Sequence, residues 1–544
     1  MKSKTWLSLF PLTVALVLAP IAAINLAIDP FGAFGDPVLD WHEYNFAQNP
    51  RLAKINYLDT RSNTFDSYIL GGSTMGSLPT EKLNAYTGSD FFNLFGFNAD
   101  MYRTRLMAEY VLDNYSVKNL LLGVSLTDGR FYHSDTDTLS LMLPARVSGA
   151  SSLAQTTRYL LASPKFSDDK LAAFSEITYL KQYNYGFDAT TGAYDNTRYD
   201  VQYIGPAEVY LRRNTDFAAL ESGTRNLPYI DDCMADVAAI AAICREKAVN
   251  LLVVLSPFYE PYLQCFPAQQ RYEFLRKLAA ETDFWDFSLS SVSLDPRYFY
   301  DPGHFRTPVG AMMLARIYGD ETLYCPPDFG AYVTADNVEA HIADLAAAPT
   351  DVPHEVRLPV IDLGRVDERN IPKLESLLAA LDETGWEAVT FSQAVDYVTA
   401  GAALPENPVV LAFEGESWRT DARILDALET HGMRGDGYVT GPAFGKAVLD
   451  GPEAKYIEAV RSAIAQDPAL GKEAPAVYAH PKGEATALAD ALLIEAGVRV
   501  TLSDTTGDNT LVRGLPQTLI GMRRHPVDWS ASASDLIAAL GGLG

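Results

Sequence analysis

Apolar residues recur along this chain in short runs, each followed by a stretch with helical spacing. Asp66 to Leu70 has a polar start and an apolar end, Phe91 to Gly96 is a second run, and Leu120 to Val124 is apolar throughout. Asn250 to Leu255 and Phe284 to Phe287 follow. Between them, Leu78 to Tyr86, Met101 to Leu112 and Met234 to Lys247 carry the spacing of amphipathic helices. Strands alternating with helices predict an α/β fold, a mostly parallel sheet covered on both faces. Asp29 to Tyr57, rich in Pro, Gly and aromatics, reads as a neck. Ser134 to Pro228 breaks the rhythm: it is polar, aromatic and rich in Tyr and Asn, and is expected as an insertion over the sheet edge, a substrate lid. Asp328 to Arg357 has the composition of a linker with one helix around Val338 to Ala346. A second alternation then runs from Leu358 to Met522, including an apolar strand at Pro408 to Phe413 and a helix at Lys455 to Gln466. It suits a small or incomplete barrel.

The amino terminus changes the picture of where these units reside. Lys2 and Lys4 precede an uncharged apolar stretch from Thr5 to Ile28, interrupted by Pro11, Pro20 and Asn25. It is long enough to cross a bilayer, which takes roughly 20 residues. Ala22, Ala23 and Ala27 offer the small residues of a cleaved signal peptide. The length of the run favours an uncleaved anchor: a single-pass membrane protein whose body is periplasmic or extracellular. The net charge of -26 over 544 residues argues against a nucleic-acid partner and against docking on anionic lipid through a basic surface. It is compatible with neutral or cationic glycans, and such acidity also serves solubility. Cys233, Cys244, Cys265 and Cys325 fall in one region. On one helix, Cys233 and Cys244 would lie about 16 Å apart, too far to bond with each other; a pairing of Cys265 with Cys325 is one that an exported protein could form.

The candidate chemistry begins at Tyr300-Asp301-Pro302-Gly303-His304-Phe305. An Asp and a His three residues apart in a Pro-Gly turn can set a carboxylate against one ring nitrogen, freeing the other as a base. The matching nucleophile is Ser73, where Ile69-Leu70 ends in Gly71-Gly72-Ser73. Taken singly, a Gly-Gly-Ser stretch is a turn and an Asp-x-x-His stretch is a helix cap. Together they follow the first and last strands, with Gly96 after the second, and ligands of such sheets sit beyond the carboxyl ends of the strands. His133, after Gly129-Arg130-Phe131-Tyr132, is a further histidine near a strand end.

On these residues the stretch from Asp29 to Tyr324 resembles an SGNH-type (GDSL-like) hydrolase of the membrane-anchored branch linked to acyl transfer on cell-wall and exopolysaccharides. The resemblance implies a flavodoxin-like three-layer domain. It implies Ser73 as acyl nucleophile, His304 as base and Asp301 as its orienting partner. Backbone N–H groups of Ser73 and Gly96 would hold the oxyanion. The family's third block supplies an Asn to that hole. Here the strand end reads Gly123-Val124-Ser125-Leu126-Thr127-Asp128, so Ser125 stands in its place.

A second resemblance lies in Leu404-Pro405-Glu406-Asn407-Pro408-Val409-Val410-Leu411-Ala412-Phe413-Glu414-Gly415-Glu416, with Gly437-Tyr438-Val439-Thr440-Gly441, Gly385-Trp386-Glu387-Ala388-Val389-Thr390 and His480-Pro481-Lys482-Gly483-Glu484. From Glu355 to Trp529 the chain is similar to polysaccharide deacetylases, which implies a partial (β/α) barrel. The family's metal chemistry does not carry over. Its adjacent aspartates read Glu414-Gly415, and no histidine lies between Thr440 and Ala479, whereas zinc hydrolysis needs about three protein ligands. No metal and no cofactor are expected. A surviving glycan groove would involve Glu414, Trp418 and His480, with Tyr478 and Trp529. An unusual metal site from Glu414, Glu416 and a histidine is the rival reading.

The expected organisation is an anchor over 1–28, an SGNH-like domain over 29–327 with an insertion, a linker over 328–355 and a deacetylase-like domain over 356–544. The expected function is that of a serine esterase or O-acyltransferase on acyl groups of an extracellular or cell-wall polysaccharide. A non-catalytic glycan-binding or assembly protein of an exopolysaccharide system is the alternative. Expected partners are the polysaccharide, the inner membrane and exopolysaccharide machinery proteins.

Overall fold

The computed structural model describes residues 3–35, 47–61, 64–133, 138–175, 187–188, 190–194, 196–218, 220, 223–347, 354–440, 462, 477–483, 485–532 and 534–535. The chain divides into two compact units. The first joins Met1–Asn196, Asp216–Tyr318 and Pro327–Asp351; the second joins Thr197–Thr215, Gly319–Pro326 and Val352–Gly544.

The first unit is built on a six-stranded sheet. β1 (Ser67–Leu70), β2 (Phe91–Asn93), β3 (Asn119–Val124), β4 (Asn250–Leu255) and β5 (Phe284–Asp286) lie in the order β2-β1-β3-β4-β5, all parallel. This is the flavodoxin-like doubly wound order. β6 (Phe299–Asp301) and β7 (His304–Phe305) form a small antiparallel hairpin of their own, and β8 (Ala331–Val333) closes the sheet antiparallel to β5. β1 is buried at every position and β3 at all but its first, as strands covered on both faces must be. A polar ladder marks the entry edge: Asn250 donates to Asn119, and Asn119 donates to the hydroxyls of Ser67 and Ser89. The chemistry-bearing residues lie at the opposite, carboxyl edge.

The segment read as a neck contains a core element. Helix α2 (Pro50–Asp59) starts with Pro at its first position, capped by Asn49, whose side chain accepts from the Leu52 N–H. Its Ile55 and Leu58 are wholly buried in the main cluster. The Ala331–Val333 strand and the Val338–Ala346 helix, inside the stretch read as a linker, belong to the first unit.

The insertion does two things. Around 190–194 it covers the free edge of β2: the Asn93 N–H donates to the Thr191 carbonyl and the Tyr194 N–H to the Gly76 carbonyl. Its helices Ser152–Leu160 and Lys165–Ser175 instead pack on the amino-terminal helix α1 (Ser3–Ile28). From Phe10 to Ile28 that helix is long and apolar enough to cross a membrane, and it is mostly exposed. Its carboxyl end is fastened to the body. The Asn25 side chain, with no exposed surface, donates to the carbonyls of Leu160 and Ala162 and accepts from the Ser167 hydroxyl. Buried Lys170 donates to the Asp29 carbonyl.

The second unit has a parallel sheet of β10 (Val360–Gly364), β12 (Pro408–Glu414), β13 (Gly435–Thr440), β14 (Val477–Ala479), β15 (Val500–Leu502) and β17 (His525–Pro526). Their order is β15-β14-β13-β12-β10-β17. β11 (Glu387–Ala388) adds to β12, and β9 (Glu355–Leu358) pairs antiparallel with β16 (Asn509–Val512). Met522 bridges Leu502 at one edge while His525 and Pro526 pair with β10 at the other, so one short segment meets both edges and the sheet curls as a partial barrel. Of the expected strand Leu519 to Met522, Leu519 ends a 3₁₀ turn, Pro516–Leu519, and Met522 alone makes an isolated bridge. The expected helix Lys455 to Gln466 lies outside the described residues, apart from Ser462. All four cysteines are free thiols, so the Cys265–Cys325 pairing that the sequence left open is not formed.

Candidate functional site

β1 delivers Ser73 through a turn that only glycine can make. Gly71 has φ 142°, and a Cβ there would lie 2.7 Å from the Gly123 oxygen and 2.8 Å from Met75 Cγ. Ser73 then opens the 3₁₀ turn Ser73–Ser77, whose next four residues are buried. Asn93 ties this turn to β2: its amide donates to the Met75 carbonyl at 2.8 Å, and its oxygen accepts from the Phe95 N–H.

The β6–β7 hairpin supplies the other partners. One Asp301 oxygen accepts from the Gly303 N–H at 2.8 Å, which fixes the carboxylate in the turn. His304 Nδ1 lies 2.9 and 2.8 Å from the two Asp301 oxygens, and His304 Nε2 lies 2.7 Å from Ser73 Oγ. The two turns meet because the Thr307–Tyr318 helix presses on the Ser73 turn through Gly310, where a Cβ would sit 2.7 Å from the Ser77 oxygen. Asn196 spans the same junction, donating to Ser77 Oγ at 3.2 Å and Thr307 Oγ1 at 2.8 Å. Arg306, almost wholly buried, donates from Nε to the Arg297 carbonyl and from its backbone to the Tyr298 carbonyl. The Tyr300 ring stacks on His304 at 5.5 Å.

Burial works against the charged form of both members of the pair, and each offsets it for the other. Burial pushes the Asp301 carboxyl up, but the His304 charge and hydrogen bonds from His304 and the Gly303 N–H bring it below its ordinary value. Burial pushes the His304 imidazole down, and the Asp301 charge and hydrogen bond carry it above 6.5. With Nδ1–H donating to Asp301, the Nε2 lone pair is left for the Ser73 hydroxyl proton.

The expected oxyanion donors need correction. The Gly96 N–H donates to the Gly71 carbonyl at 3.0 Å. The Ser125 N–H donates to Asp128 at 2.7 Å, and its hydroxyl caps the turn Leu126–Gly129, bonded to Thr127. Burial pushes the Asp128 carboxyl up to about 7. Both groups therefore brace the sheet edge from within. Among the described residues the Ser73 N–H makes no hydrogen bond. His133 stands at φ 48°, its ring 3.7 Å from that of Tyr102 and 4.5 Å from that of Tyr132.

In the second unit the expected glycan residues are mostly core. Trp418 is 6% exposed, stacked on Phe413 at 4.7 Å and covered by the Arg419 guanidinium at 4.4 Å. His480 has no exposed surface, and its Nε2 bonds Asp490 at 2.8 Å. Tyr478 is equally buried, and Trp529 Nε1 donates to the Leu363 carbonyl. Neither Trp418 nor His480 offers a face to a sugar. Glu414, half-buried at the end of β12, pairs with exposed Arg365 at 3.1 Å. The carboxyl edge of this sheet is bridged by Asp362, which accepts from Tyr438 Oη at 2.7 Å and Arg524 Nη1 at 3.0 Å. Among the described residues no three His, Cys, Asp or Glu side chains converge to hold a metal ion.

No family model matches the chain, and no curated protein matches it. The solved structures similar to part of it include deacetylases. A deacetylase of Streptococcus pyogenes, PplD in complex with acetate, is 10% identical with a TM-score of 0.23, covering 34% of this chain and 98% of that one. A de-N-acetylase from Aggregatibacter actinomycetemcomitans is 11% identical with a TM-score of 0.26, covering 32% and 97%. The deacetylase domain of BpsB from Bordetella bronchiseptica is 15% identical with a TM-score of 0.25, covering 32% and 98%.

Proposed function

We propose that this protein is an exported, membrane-tethered serine esterase or O-acyltransferase acting on acyl groups of a polysaccharide. One observation carries the reading: the unbroken hydrogen-bonded series Ser73 Oγ, His304 Nε2, His304 Nδ1 and the Asp301 carboxylate. Ser73 Oγ attacks the ester carbonyl while His304 Nε2 takes its proton, and Asp301 stabilises the imidazolium that results. The tetrahedral oxyanion is held by the Ser73 N–H. His304 returns the proton to the departing sugar oxygen, leaving an acyl-serine. Water or a second sugar hydroxyl, deprotonated by the same imidazole, then attacks the acyl-serine; the acyl–Oγ bond breaks and His304 returns the proton to Ser73 Oγ. The polysaccharide in this reading rests on the two sequence resemblances, and the membrane tether on α1.

The test is labelling of the full chain with a fluorophosphonate, alongside turnover of a chromogenic acetyl ester. Ser73→Ala is expected to abolish labelling, and Ser73→Ala and His304→Ala each to lower turnover by about 10⁴-fold or more. Wild-type protein that neither labels nor turns over the ester would overturn the reading. A second reading, a non-catalytic glycan-binding protein, is favoured by the internal commitment of the Gly96 and Ser125 donors. It expects glycan affinity that is indifferent to Ser73→Ala.

A further inference from the structure

In the first unit lies a pocket of about 260 Å³ that the proposed chemistry does not use. It opens at the carboxyl ends of β3, β4 and β5, where ligands of doubly wound sheets bind. Its volume falls just below the roughly 300–1,000 Å³ of ordinary ligand pockets, which restricts it to a small molecule. Much of its wall is leucine, including Leu126 and Leu255 next to the ends of β3 and β4. Set into this wall is the Arg271 guanidinium. Its Nη2 donates weakly to Gln264 at 3.3 Å, while its Nε–H, shut off from solvent, has no acceptor. Among the described residues Arg271 forms no ion pair. A guanidinium keeps its charge even where it is partly desolvated, and here the Glu260 carboxylate offsets that cost only from a distance, without an ion pair. Burial presses the Arg271 pKa down, against the opposing charges of Tyr272 and Glu260.

Two other polar residues of the wall narrow the choice of ligand. Ser288 is buried, and among the described residues its hydroxyl makes no hydrogen bond, so it can serve as a second donor. Glu260 adds a carboxylate to the lining, which accepts from Gln264 Nε2 at 2.8 Å. A doubly charged group beside it would be repelled. We infer that the pocket is a binding site for a short-chain alkyl carboxylate, its single charge on Arg271 Nε–H and its chain along the leucines. The Glu260–Leu263 turn walls this pocket and also supports the catalytic hairpin: the neighbouring Tyr259 N–H donates to the Pro302 carbonyl at 3.1 Å, and the Tyr262 ring lies beside Gly303. The site stands whether or not Ser73 is catalytic.

Calorimetric titration of the detergent-solubilised full chain with sodium hexanoate tests it, with 1-hexanol as the uncharged control. Saturable hexanoate binding is expected, at least about tenfold weaker in Arg271→Met, as suits loss of a charged hydrogen bond. Leu289→Phe, which fills the pocket, is expected to lose it, and Ser73→Ala to keep it. Thermal melting of Arg271→Met at or above the wild-type Tm shows that lost binding is not lost folding. The inference is overturned by absent saturation in the wild type, by equal binding in Arg271→Met, or by 1-hexanol binding as tightly as hexanoate. Loss of binding in Ser73→Ala would assign the probe to the catalytic serine and overturn it equally.

Discussion

His304 is held between two opposed influences, and the pH dependence of the proposed reaction reads their balance. The base must be neutral, so activity falls as pH drops through the imidazole pKa. Asp301 carries that pKa above 6.5, so the acidic limb of kcat/KM for an acetyl ester is expected above 6.5. In Asp301→Asn only the burial effect remains, and the limb is expected to move below 6.5 while kcat falls about 10⁴-fold. A limb that stays in place would assign the titration to another group. Ser73, Asp301 and His304 were legible because each sits in a local turn of its own with a recognisable residue pattern. Gly96 and Ser125 were not, because the sequence does not say which carbonyl or carboxylate a backbone N–H has already taken. Trp418 was misread for a related reason: an aromatic following a strand looks the same in sequence whether its ring faces solvent or Phe413. Trp418→Ala is accordingly expected to destabilise the second unit by about 3–5 kcal/mol. Thermal melting checks this, and an unchanged Tm with lowered glycan affinity would return Trp418 to a binding groove.

Among the elements, the strand–helix rhythm predicted the parallel sheet, and the order β2-β1-β3-β4-β5 places Ser73 and the Asp301–His304 hairpin at one edge. The Val338–Ala346 helix was legible even inside a stretch of linker-like composition. α2 was hidden by its neighbours, although Asn49, Pro50 and the spacing of Leu52, Ile55 and Leu58 are a helix start and an apolar face. What no pattern reveals is how closely the Thr307–Tyr318 helix approaches the Ser73 turn, because that distance depends on one missing side chain. Gly310→Ala puts a methyl group 2.7 Å from the Ser77 oxygen, and the helix must shift. A displacement of about 1 Å can cost 100-fold in rate. Fluorophosphonate labelling of Gly310→Ala is therefore expected to slow by about that factor while far-UV circular dichroism is unchanged. Labelling at the wild-type rate would show that the junction tolerates the methyl group.

At the scale of the whole molecule, the chain's two alternations correspond to two units, but their membership is not collinear with the sequence. Thr197–Thr215 and Gly319–Pro326 join the second unit, and Pro327–Asp351 the first. Composition marks a change of rhythm but not which core a short segment joins. Asn25 likewise reads as a flaw in an apolar helix and is instead its fastening. Asn25→Leu would leave the half-buried Leu160 carbonyl, the buried Ala162 carbonyl and the Ser167 hydroxyl without their partner. A cost of about 1–3 kcal/mol is expected, seen as faster hydrogen exchange over Ser152–Leu160 and Lys165–Ser175. Unchanged exchange there would mean that the apolar packing alone holds the joint.

That joint also bears on how such a protein would meet its substrate. A leader joined by a loose linker lets a body sweep a volume, and reach then grows with linker length. Were α1 to lie in a bilayer, as proposed, the first unit would have no slack. Its encounters would be governed by areal density in the plane of the membrane, and a long polymer would be acted on where it passes the surface rather than where it drifts free.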